Sequence, residues 1–473
     1  MSIDLDRWEI VIGLEVHTEL STRTKLFSGA TNEFGGEPNT HIDALTLGLP
    51  GSLPVLNEQA VELAIRVGLA LNCTVQRSVF ARKNYFYPDQ SKNYQISQFD
   101  LPINVEGHLE LPDGTVAGIE RAHLEEDTGK STHIGGGGRI HDAQHSLVDY
   151  NRCGVPLLEI VGKPDLRSAE QARAFVAELR SILVAVGASD GKMEEGSLRV
   201  DCNVSVRLRG SDELGTRCEI KNINSLRSLG RAIEYEAARQ VDLIDAGERV
   251  EQQTRHWNED EGRTLKLRSK EGSDDYRYFP DPDLVAVDPS QEWIERVRAA
   301  LPILPAARRH RLAERSGAPL EQTALIVERG LDDLCLATIE AGGDATRTIT
   351  HAEHNLSDER ARQLSPTAFA ELVGMELDGQ LSATQAKTVL AEMVVDGGRP
   401  ADLAASHGFE AMDTSELEGI VDGLISSNPG EWQRFCDGDG KVTGFFVGKV
   451  MKATSGQADG KVVTALLNLR KSS

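Results

Sequence analysis

The sequence predicts an α+β protein in which a sheet-rich first part precedes two smaller helical parts. Two observations carry this prediction: several early segments alternate apolar and polar residues, and from about residue 291 the spacing of apolar residues becomes helical. Pro302 and Pro305 punctuate the junction. A chain of 473 residues is too long for one ordinary core, and we expect domains at residues 1–295, 296–406 and 407–473.

The composition is that of a soluble protein of the cytoplasm. Hydrophobic residues make up 40% and charged residues 26% of the chain, and no apolar run reaches the roughly 18 residues of a membrane span. The first residues are acidic and polar, unlike a secretory signal. The six cysteines form no C-x-x-C pair, so we expect them to be reduced.

The net charge of −23 argues against binding to a polyanion, but the charge is unevenly distributed. Between residues 441 and 473 there are six Lys or Arg residues and one acid. A basic end on an acidic body is able to hold a nucleic acid. The candidate contacts in this tail are Lys441, Lys449, Lys452 and Lys461.

Residues 9–20 predict a strand with one chemically unusual face. The even positions from Ile10 to Leu20 are mostly apolar, whereas Glu15, His17 and Glu19 share the opposite face. An ordinary half-solvated antiparallel sheet is the simpler interpretation of such alternation. However, a wet face is usually made of Thr, Lys and Gln rather than carboxylates and an imidazole.

Three further segments with strand-like patterns also carry charged residues. Residues 198–206 place Arg199, Asp201 and Asn203 on one face, and residues 217–221 do the same for Glu219 and Lys221. Residues 155–161 are otherwise apolar but contain Glu159, a carboxylate that is costly to bury without a partner or a cation. Clustered oxygen ligands with one imidazole suit a hard divalent ion such as magnesium, so the sheet is a candidate metal–nucleotide site.

Two tempting motifs are rejected. Gly129-Lys130-Ser131 resembles the end of a P-loop, but the required earlier glycine is Leu124 and the preceding residues are acidic. Cys153 has histidines nearby in the sequence, but nothing marks it as a nucleophile rather than a structural thiol.

Several long strings together resemble one family over essentially the whole chain, the B subunits of the bacterial Asp/Glu-tRNA amidotransferases (GatB family). They are residues 8–17 (WEIVIGLEVH), 82–89 (RKNYFYPD), 94–99 (YQISQF), 123–131 (HLEEDTGKS), 192–199 (KMEEGSLR), 274–280 (DDYRYFP) and 448–454 (GKVMKAT). The resemblance implies a "cradle" first domain related to the glutamine synthetase and guanidino-kinase fold. An all-α helical domain and a small all-α, YqeY-like tail domain that touches tRNA would follow.

The resemblance also implies roles for residues. The family's metal-binding positions fall on Glu15, His17, Glu126, Glu159 and Glu219. Alternation or burial had already singled out four of these, whereas the strand parity of Glu126 is not established by the sequence. Charge and face suggest the candidate catalytic or phosphate-contacting residues Lys83, Arg199, Asp201, Asn203 and Lys221, with Lys83, Lys130 and Lys221 as ATP contacts.

The implied activity is ATP- and Mg²⁺-dependent amidation of Glu or Asp attached to tRNA(Gln) or tRNA(Asn). Ammonia would come from glutamine hydrolysed in an amidase A subunit, and a small C subunit would complete a heterotrimer. Many relatives carry a four-cysteine zinc site, but the corresponding positions here are Ser28, Ala30, Asp43 and Thr46, so no zinc is expected.

Two other functions remain open at this point. A non-catalytic adaptor that only presents tRNA would explain the basic tail but not the acidic, histidine-bearing face. A stand-alone carboxylate–ammonia ligase acting on a metabolite would explain that face but not the two helical parts.

Overall fold

The computed structural model describes residues 3–135, 143–269, 273–409, 414–454, 458 and 460–471. The chain divides into two compact units, Met1–Ala306 and Ala307–Ser473. Every strand of the described ranges lies in the first unit, and the second unit is helical. This mixed content confirms the α+β class.

The first unit is built on three sheets. One sheet has nine strands, a second has three and a third has two. The strands are β1 (Trp8–Glu19), β2 (Thr74–Val75), β3 (Phe80–Asn84), β4 (Tyr94–Gln98), β5 (Asn104–Glu110), β6 (Val116–Glu126), β7 (Lys130–Ile134), β8 (His145–Asp149), β9 (Pro156–Gly162), β10 (Leu198–Leu208), β11 (Cys218–Ile223), β12 (Gln253–Asn258), β13 (Arg263–Ser269) and β14 (Phe279–Pro280).

The helices of the first unit begin at side chains that cap their free N–H groups. Asn57, Ser168, Ser225 and Ser290 each accept a hydrogen bond from a backbone N–H of the first turn. The helices are α1 (Glu58–Ala70), α2 (Ala169–Ala185), α3 (Leu226–Asp245) and α4 (Gln291–Ala299), with a 3₁₀ turn at Ser273–Tyr276.

The nine-stranded sheet has the order β13-β12-β11-β10-β1-β9-β6-β5-β2, which places β1 in its interior. Its strand pairs are antiparallel, as predicted, except that β11 and β12 run parallel. The exception has a simple cause: α3 connects these two strands, and a helical crossover returns the chain in the same direction. Strands β14, β3 and β4 form the three-stranded sheet, and β7 pairs with β8.

One face of the large sheet packs on α1, α2 and α3 in a single apolar core. Ile12, Leu14 and Val16 of β1 are at most 1% exposed, and β10 contributes Val200 and Val204. The alternation predicted for both strands is confirmed. The opposite face is not simply solvated, because polar side chains on it are also buried.

The second unit contains short helices around two separate apolar clusters, one within residues 312–404 and one within residues 417–467. Ser382 and Gln385 form a reciprocal capping box at the start of one helix. The helices from the junction onward are α5 (Pro305–Ser316), α6 (Leu320–Glu328), α7 (Asp332–Glu340), α8 (Ala345–His354), α9 (Pro366–Leu377), α10 (Ala383–Asp396), α11 (Pro400–Ser406), α12 (Thr414–Ser427), α13 (Pro429–Cys436), α14 (Lys441–Ala453) and α15 (Gly460–Lys471), with a 3₁₀ turn at Glu359–Gln363.

The state of the cysteines and the hydropathy of the helices were both predicted from the sequence. All six cysteines are free thiols, and only Cys436 is not fully buried. Within the described ranges, no helix is long and apolar enough to cross a lipid bilayer.

Candidate active site

A row of charged side chains crosses four neighbouring strands on the polar face of the large sheet. His17 of β1 lies opposite Glu159 of β9 and, on its other side, opposite Arg199 of β10. Glu159 in turn lies opposite His123 of β6. Antiparallel pairing therefore brings together residues that are distant in the sequence, because side chains directly opposite one another share a face.

His17, Glu125 and Glu159 form the centre of this row. The Nε2 atom of His17 is 3.5 Å from Glu159 Oε2 and 3.7 Å from Glu125 Oε1. His123 Nε2 is 3.4 Å from the same Glu159 oxygen. Among the described residues, these three side chains form the one group of His, Cys, Asp and Glu whose ligand atoms all lie within 4.8 Å of one another. We call His17, Glu125 and Glu159 the carboxylate–imidazole cluster.

The electrostatics of the cluster favour positive charge at its centre. Burial opposes a charged imidazole, but Glu159, Glu125 and Asp201 outweigh burial and raise the pKa of His17 to about 9. Burial likewise opposes ionisation of Glu159, yet His123 and His17 hold the pKa of its carboxyl well below the usual range. The cluster thus keeps the Glu159 carboxylate ionised and attracts a cation, either a proton on His17 or a metal ion.

Glu126 does not join this cluster. Adjacent residues of a strand point to opposite faces, so Glu126 lies on the other side of β6 from Glu125. There it is 2% exposed, pairs with the ammonium of Lys92, and accepts a hydrogen bond of 2.9 Å from the backbone N–H of Ile96. Its carboxylate is therefore engaged in holding β6 to the β4 region.

A second group lies one step along the same face, roughly 7 Å away by strand geometry. Glu15 accepts a hydrogen bond of 2.9 Å from Asn203 Nδ2. Lys221 bridges Asp201 and Glu219, with 3.1 Å between its Nζ and Glu219 Oε1. All five residues were predicted from the sequence, and the structure brings them together.

Glu219 is more constrained than its neighbours in this second group. It is 7% exposed, and its other oxygen accepts a hydrogen bond of 2.9 Å from Thr254 Oγ1. Burial would lower the pKa of Lys221, but Asp201 and Glu219 raise it, so the lysine stays protonated.

Arg199 is held by an acid that the sequence patterns did not single out. Its guanidinium donates to both oxygens of Asp127, at 2.6 and 3.4 Å, and Arg152 approaches the same carboxylate at 3.3 Å. Two arginines on one buried carboxylate leave net positive charge beside the cluster. Glu19 lies nearby, and burial together with Asp127 raises the pKa of its carboxyl to about 7.

Lys83 and Lys130 have different surroundings. Burial would lower the pKa of Lys83, but Glu125, Tyr278 and Glu159 raise it, which marks Lys83 as a cationic neighbour of the cluster. Lys130 lines a cavity of about 310 Å³ whose wall also includes Glu19 and Arg152. The string that resembles a P-loop starts strand β7 at Lys130 and not a helix, which confirms that it is no Walker site.

The lysines of the C-terminal tail lie on or near α14 and α15. Lys449 donates a hydrogen bond of 2.7 Å to Asn428 Oδ1 and lies 4.6 Å from the ring centre of Phe445. Lys452 is exposed on the same helix. The side chains of Lys441 and Lys461 lie outside the described part of the structure.

Of the four positions at which the family resemblance would place zinc ligands, Asp43 and Thr46 lie in one turn that their own hydrogen bonds close. The backbone N–H of Thr46 donates to Asp43 Oδ1 at 2.9 Å, and Thr46 Oγ1 accepts from the N–H of Asp43 at 2.7 Å. Beside this turn, the fully buried ammonium of Lys25 donates to the carbonyl oxygen of Cys153 at 2.6 Å. Hydroxyl, methyl and single carboxylate groups do not make a tetrahedral zinc site.

Three buried polar atoms near the cluster have no hydrogen-bond partner among the described residues: His123 Nδ1, Arg199 Nε and Asn203 Oδ1. Buried polar atoms in native proteins are nearly always satisfied by protein, water or ligand. A polar ligand or a hydrated ion on this face would supply the missing partners.

Sequence reasoning missed Glu125, His123 and Asp127, although the signal was present. Ala122 and Leu124 are apolar and fully buried, so they mark the core side of β6. His123, Glu125 and Asp127 have the opposite parity and had to face the site.

Two family models match this chain. Residues 10–295 match the family model described as "GatB/GatE catalytic domain", and residues 343–470 match "GatB domain". The chain is 48% identical to the B subunit of the aspartyl/glutamyl-tRNA(Asn/Gln) amidotransferase of Nocardia farcinica, over 98% of this chain and 95% of the relative. It is 45% identical to the protein of the same name from Synechococcus elongatus, over 98% and 97% of the two chains. The chain therefore belongs to the GatB family of amidotransferase B subunits.

Proposed function

We propose that this chain carries the site at which the side-chain carboxylate of Glu or Asp, esterified to tRNA(Gln) or tRNA(Asn), is phosphorylated by ATP and then amidated. The observation that supports this most is the carboxylate–imidazole cluster, with cationic side chains on its borders. A carboxylate is a poor electrophile, so ammonia displaces its oxygen only after a better leaving group has been made.

The cluster fits Mg²⁺, because it offers two carboxylates and one imidazole within reach of one another, and the ion would take the place of the proton on His17. His17, Glu125 and Glu159 would hold the ion, and Glu15 is a further donor one step along β1. When bound, Mg²⁺ would neutralise charge on the phosphate oxygens. We leave Glu126 and Glu219 out of this set, since Lys92 and Lys221 already occupy their carboxylates.

The basic residues around the cluster would position the phosphates and the acceptor. Arg199 on β10, held by Asp127, and Lys221 on β11, held by Asp201, are cations fixed by ion pairs beside the cluster. Lys83 is a third cation beside Glu125. Because these cations are already held in place, they would lower the free energy needed to bring the substrate carboxylate close to the phosphates of ATP.

The chemistry balances in two steps. A carboxylate oxygen of the substrate attacks the γ-phosphorus of ATP, the bond to the bridging oxygen breaks, and ADP leaves. Ammonia then attacks the carbonyl carbon of the acyl phosphate, the C–O bond to phosphate breaks, and a proton is released to give the amide and inorganic phosphate. Water must be kept out, since it would hydrolyse the intermediate.

The relatives are named as the B component of an amidotransferase, which supports a multi-subunit assembly. We infer an amidase A subunit that releases ammonia from glutamine, and a small C subunit, in a heterotrimer of the cytoplasm. The oxygen-lined turn at Asp43 and Thr46 supports an assembly that needs no zinc in this chain.

The domain arrangement is part of the proposal. Three separate apolar clusters, within residues 8–297, 312–404 and 417–467, support a cradle at 1–295, a helical domain at 296–406 and a YqeY-like tail at 407–473. We assign the cradle to the glutamine synthetase and guanidino-kinase type of fold. The tail would contact tRNA through Lys449 and Lys452, with Lys441 and Lys461 as further candidates.

The alternative is a non-catalytic adaptor that presents tRNA to another protein of the complex. The two are separated by amidation of Glu-tRNA and Asp-tRNA in the complete complex, with ammonium chloride as nitrogen donor to bypass the glutaminase. Glu125→Gln should abolish amidation without weakening tRNA binding. The matched control is Glu170→Gln, an exposed residue of α2, which packs on the opposite, apolar face of the sheet. An adaptor would tolerate both changes, and normal amidation by the Glu125 variant would refute the proposal.

A further inference from the structure

Aromatic rings line the edge of the carboxylate–imidazole cluster, on the three-stranded sheet and the segment before β14. Phe99 and Tyr278 stack in parallel, with ring centres 4.1 Å apart and an angle of 5° between the rings. Tyr276 lies edge-on to Tyr278 at 6.2 Å, and Tyr85 edge-on to Tyr276 at 6.3 Å. We call these four rings the aromatic rim.

The aromatic rim is continuous with the cluster. Ser97 of β4 approaches Glu125, with 3.4 Å between Ser97 Oγ and Glu125 Oε2, and Phe99 follows two residues later. Lys83 places its ammonium 4.8 Å from the centre of the Tyr276 ring. Burial, together with the nearby carboxylates of Glu125 and Glu159, raises the pKa of Tyr278 to about 12, so its hydroxyl lies within electrostatic reach of the cluster.

The rim is held in an unusual backbone conformation. Arg277, between the two tyrosines, has a φ of 47°, which a side-chain-bearing residue adopts only at some cost. Asn84 Nδ2 of β3 fixes this turn by donating to the carbonyl oxygen of Arg277 at 2.8 Å and of Tyr276 at 3.3 Å. This strained turn places Tyr276 and Tyr278 at the same edge of the sheet.

Phe99 remains 44% exposed although it lies beside a charged site. Part of this ring is therefore accessible to a further planar group. A ring stacked on one partner and open to solvent suits a nucleobase, because every base has a π-face and base–aromatic stacking is a general mode of binding single-stranded nucleic acid.

Resting on the proposed function, we propose that the aromatic rim binds the 3′-terminal adenosine of the aminoacyl-tRNA, with the base stacked on the Phe99–Tyr278 pair and Lys83 facing the terminal phosphate. The amino acid is esterified to the ribose of that nucleotide, so a base held at the rim directs the side-chain carboxylate into the cluster. Single-stranded ends of RNA are recognised in this way, through splayed bases on aromatic side chains.

The test uses the complete complex without ATP and a charged tRNA whose terminal base is 2-aminopurine, a fluorophore quenched by stacking. Binding should quench the fluorescence in the wild type, and Phe99→Tyr should preserve the quench. Phe99→Leu should abolish it. In a separate amidation assay with ATP, Phe99→Leu should raise the KM for charged tRNA by about 5-fold or more, the lower end of what one base–aromatic stack contributes. The KM for ATP should stay within about twofold of the wild type, since only the tRNA contact is removed.

Phe279→Leu is the matched control. Phe279 is also 44% exposed and adjoins Tyr278, but it lies with Arg82, on the side of β3 away from Lys83. Its replacement should leave the quench unchanged. Should Phe99→Leu fail to fold, Tyr278→Leu makes the same test.

An undiminished quench in the Phe99→Leu complex would overturn the proposal. So would a raised KM for ATP with an unchanged KM for tRNA, because the rim would then hold the adenine of ATP. Since the quench is measured without ATP, it does not depend on the cluster being catalytic. A normal quench in an assembly whose Glu125→Gln variant still amidates would refute the proposed function alone.

Discussion

Glu125 and Glu126 are neighbours in the sequence, but replacing each by glutamine should have opposite consequences. Glu126 is 2% exposed and pairs with Lys92, whose side chain is 5% exposed. Glutamine retains an acceptor for the N–H of Ile96 but leaves the buried ammonium without its counter-charge. Breaking a buried ion pair from one side costs about 3–5 kcal/mol, so Glu126→Gln should lower the free energy of unfolding by that amount.

Glu125→Gln should change stability by less than about 1 kcal/mol, because it removes one of two carboxylates that face each other across His17. It should instead eliminate stabilisation by Mg²⁺. A ligand that binds only the folded state at about 100 times its dissociation constant adds about 2.7 kcal/mol, an effect easily measured.

The assay is urea unfolding of the purified chain with and without Mg²⁺, read by far-UV circular dichroism. Glu126→Gln should be destabilised and still respond to Mg²⁺, whereas Glu125→Gln should be stable and unresponsive. The reverse pattern, a stable Glu126→Gln chain that no longer responds to Mg²⁺, would place the metal carboxylate at position 126 and not at position 125.

Three further predictions concern other parts of the chain. Arg199→Lys keeps the charge but loses the bidentate hydrogen bonding with Asp127, so kcat for amidation should fall about tenfold or more. Lys25→Met leaves two backbone carbonyls without their donor and should destabilise the chain by about 1–3 kcal/mol in urea unfolding. The double change Lys449→Gln, Lys452→Gln should raise the KM for tRNA, with a weaker dependence of that KM on salt.

Each of these has an outcome that contradicts it. Unchanged kcat with Arg199→Lys would mean that the guanidinium geometry is irrelevant to the reaction. Full stability of Lys25→Met would mean that the ammonium is not needed to hold its loop. If the double variant has the same KM for tRNA as the wild type at every salt concentration, the two tail lysines do not contact tRNA.

Much of the site was predictable because burial acts on alternate residues of a strand. Ile12, Leu14 and Val16 reach the core, which leaves His17 no choice of face. The same reasoning applied to Ala122 and Leu124 would have selected Glu125. However, three acidic residues in succession, 125–127, obscured the alternation of apolar and polar positions.

The remainder depended on contacts that sequence patterns do not encode. The register that places Glu159 opposite His17 is set by pairing between strands about 140 residues apart, as the residue numbers show. The ion pair between Glu126 and Lys92 likewise joins the end of β6 to the turn before β4, and β4 belongs to a three-stranded sheet that no alternation predicted. The parallel pair of β11 and β12 follows from the helix between them.

The function proposed for this chain depends on phosphoryl transfer at its carboxylate–imidazole cluster. The most direct test is ATP hydrolysis by the complete complex in Mg²⁺, with and without misacylated Glu-tRNA, for the wild type and for a Glu15→Ala, His17→Ala double variant. If the reaction takes place there, charged tRNA should stimulate hydrolysis in the wild type and not in the variant. Stimulation that survives the double substitution would show that the acidic face is structural and that the reaction takes place elsewhere.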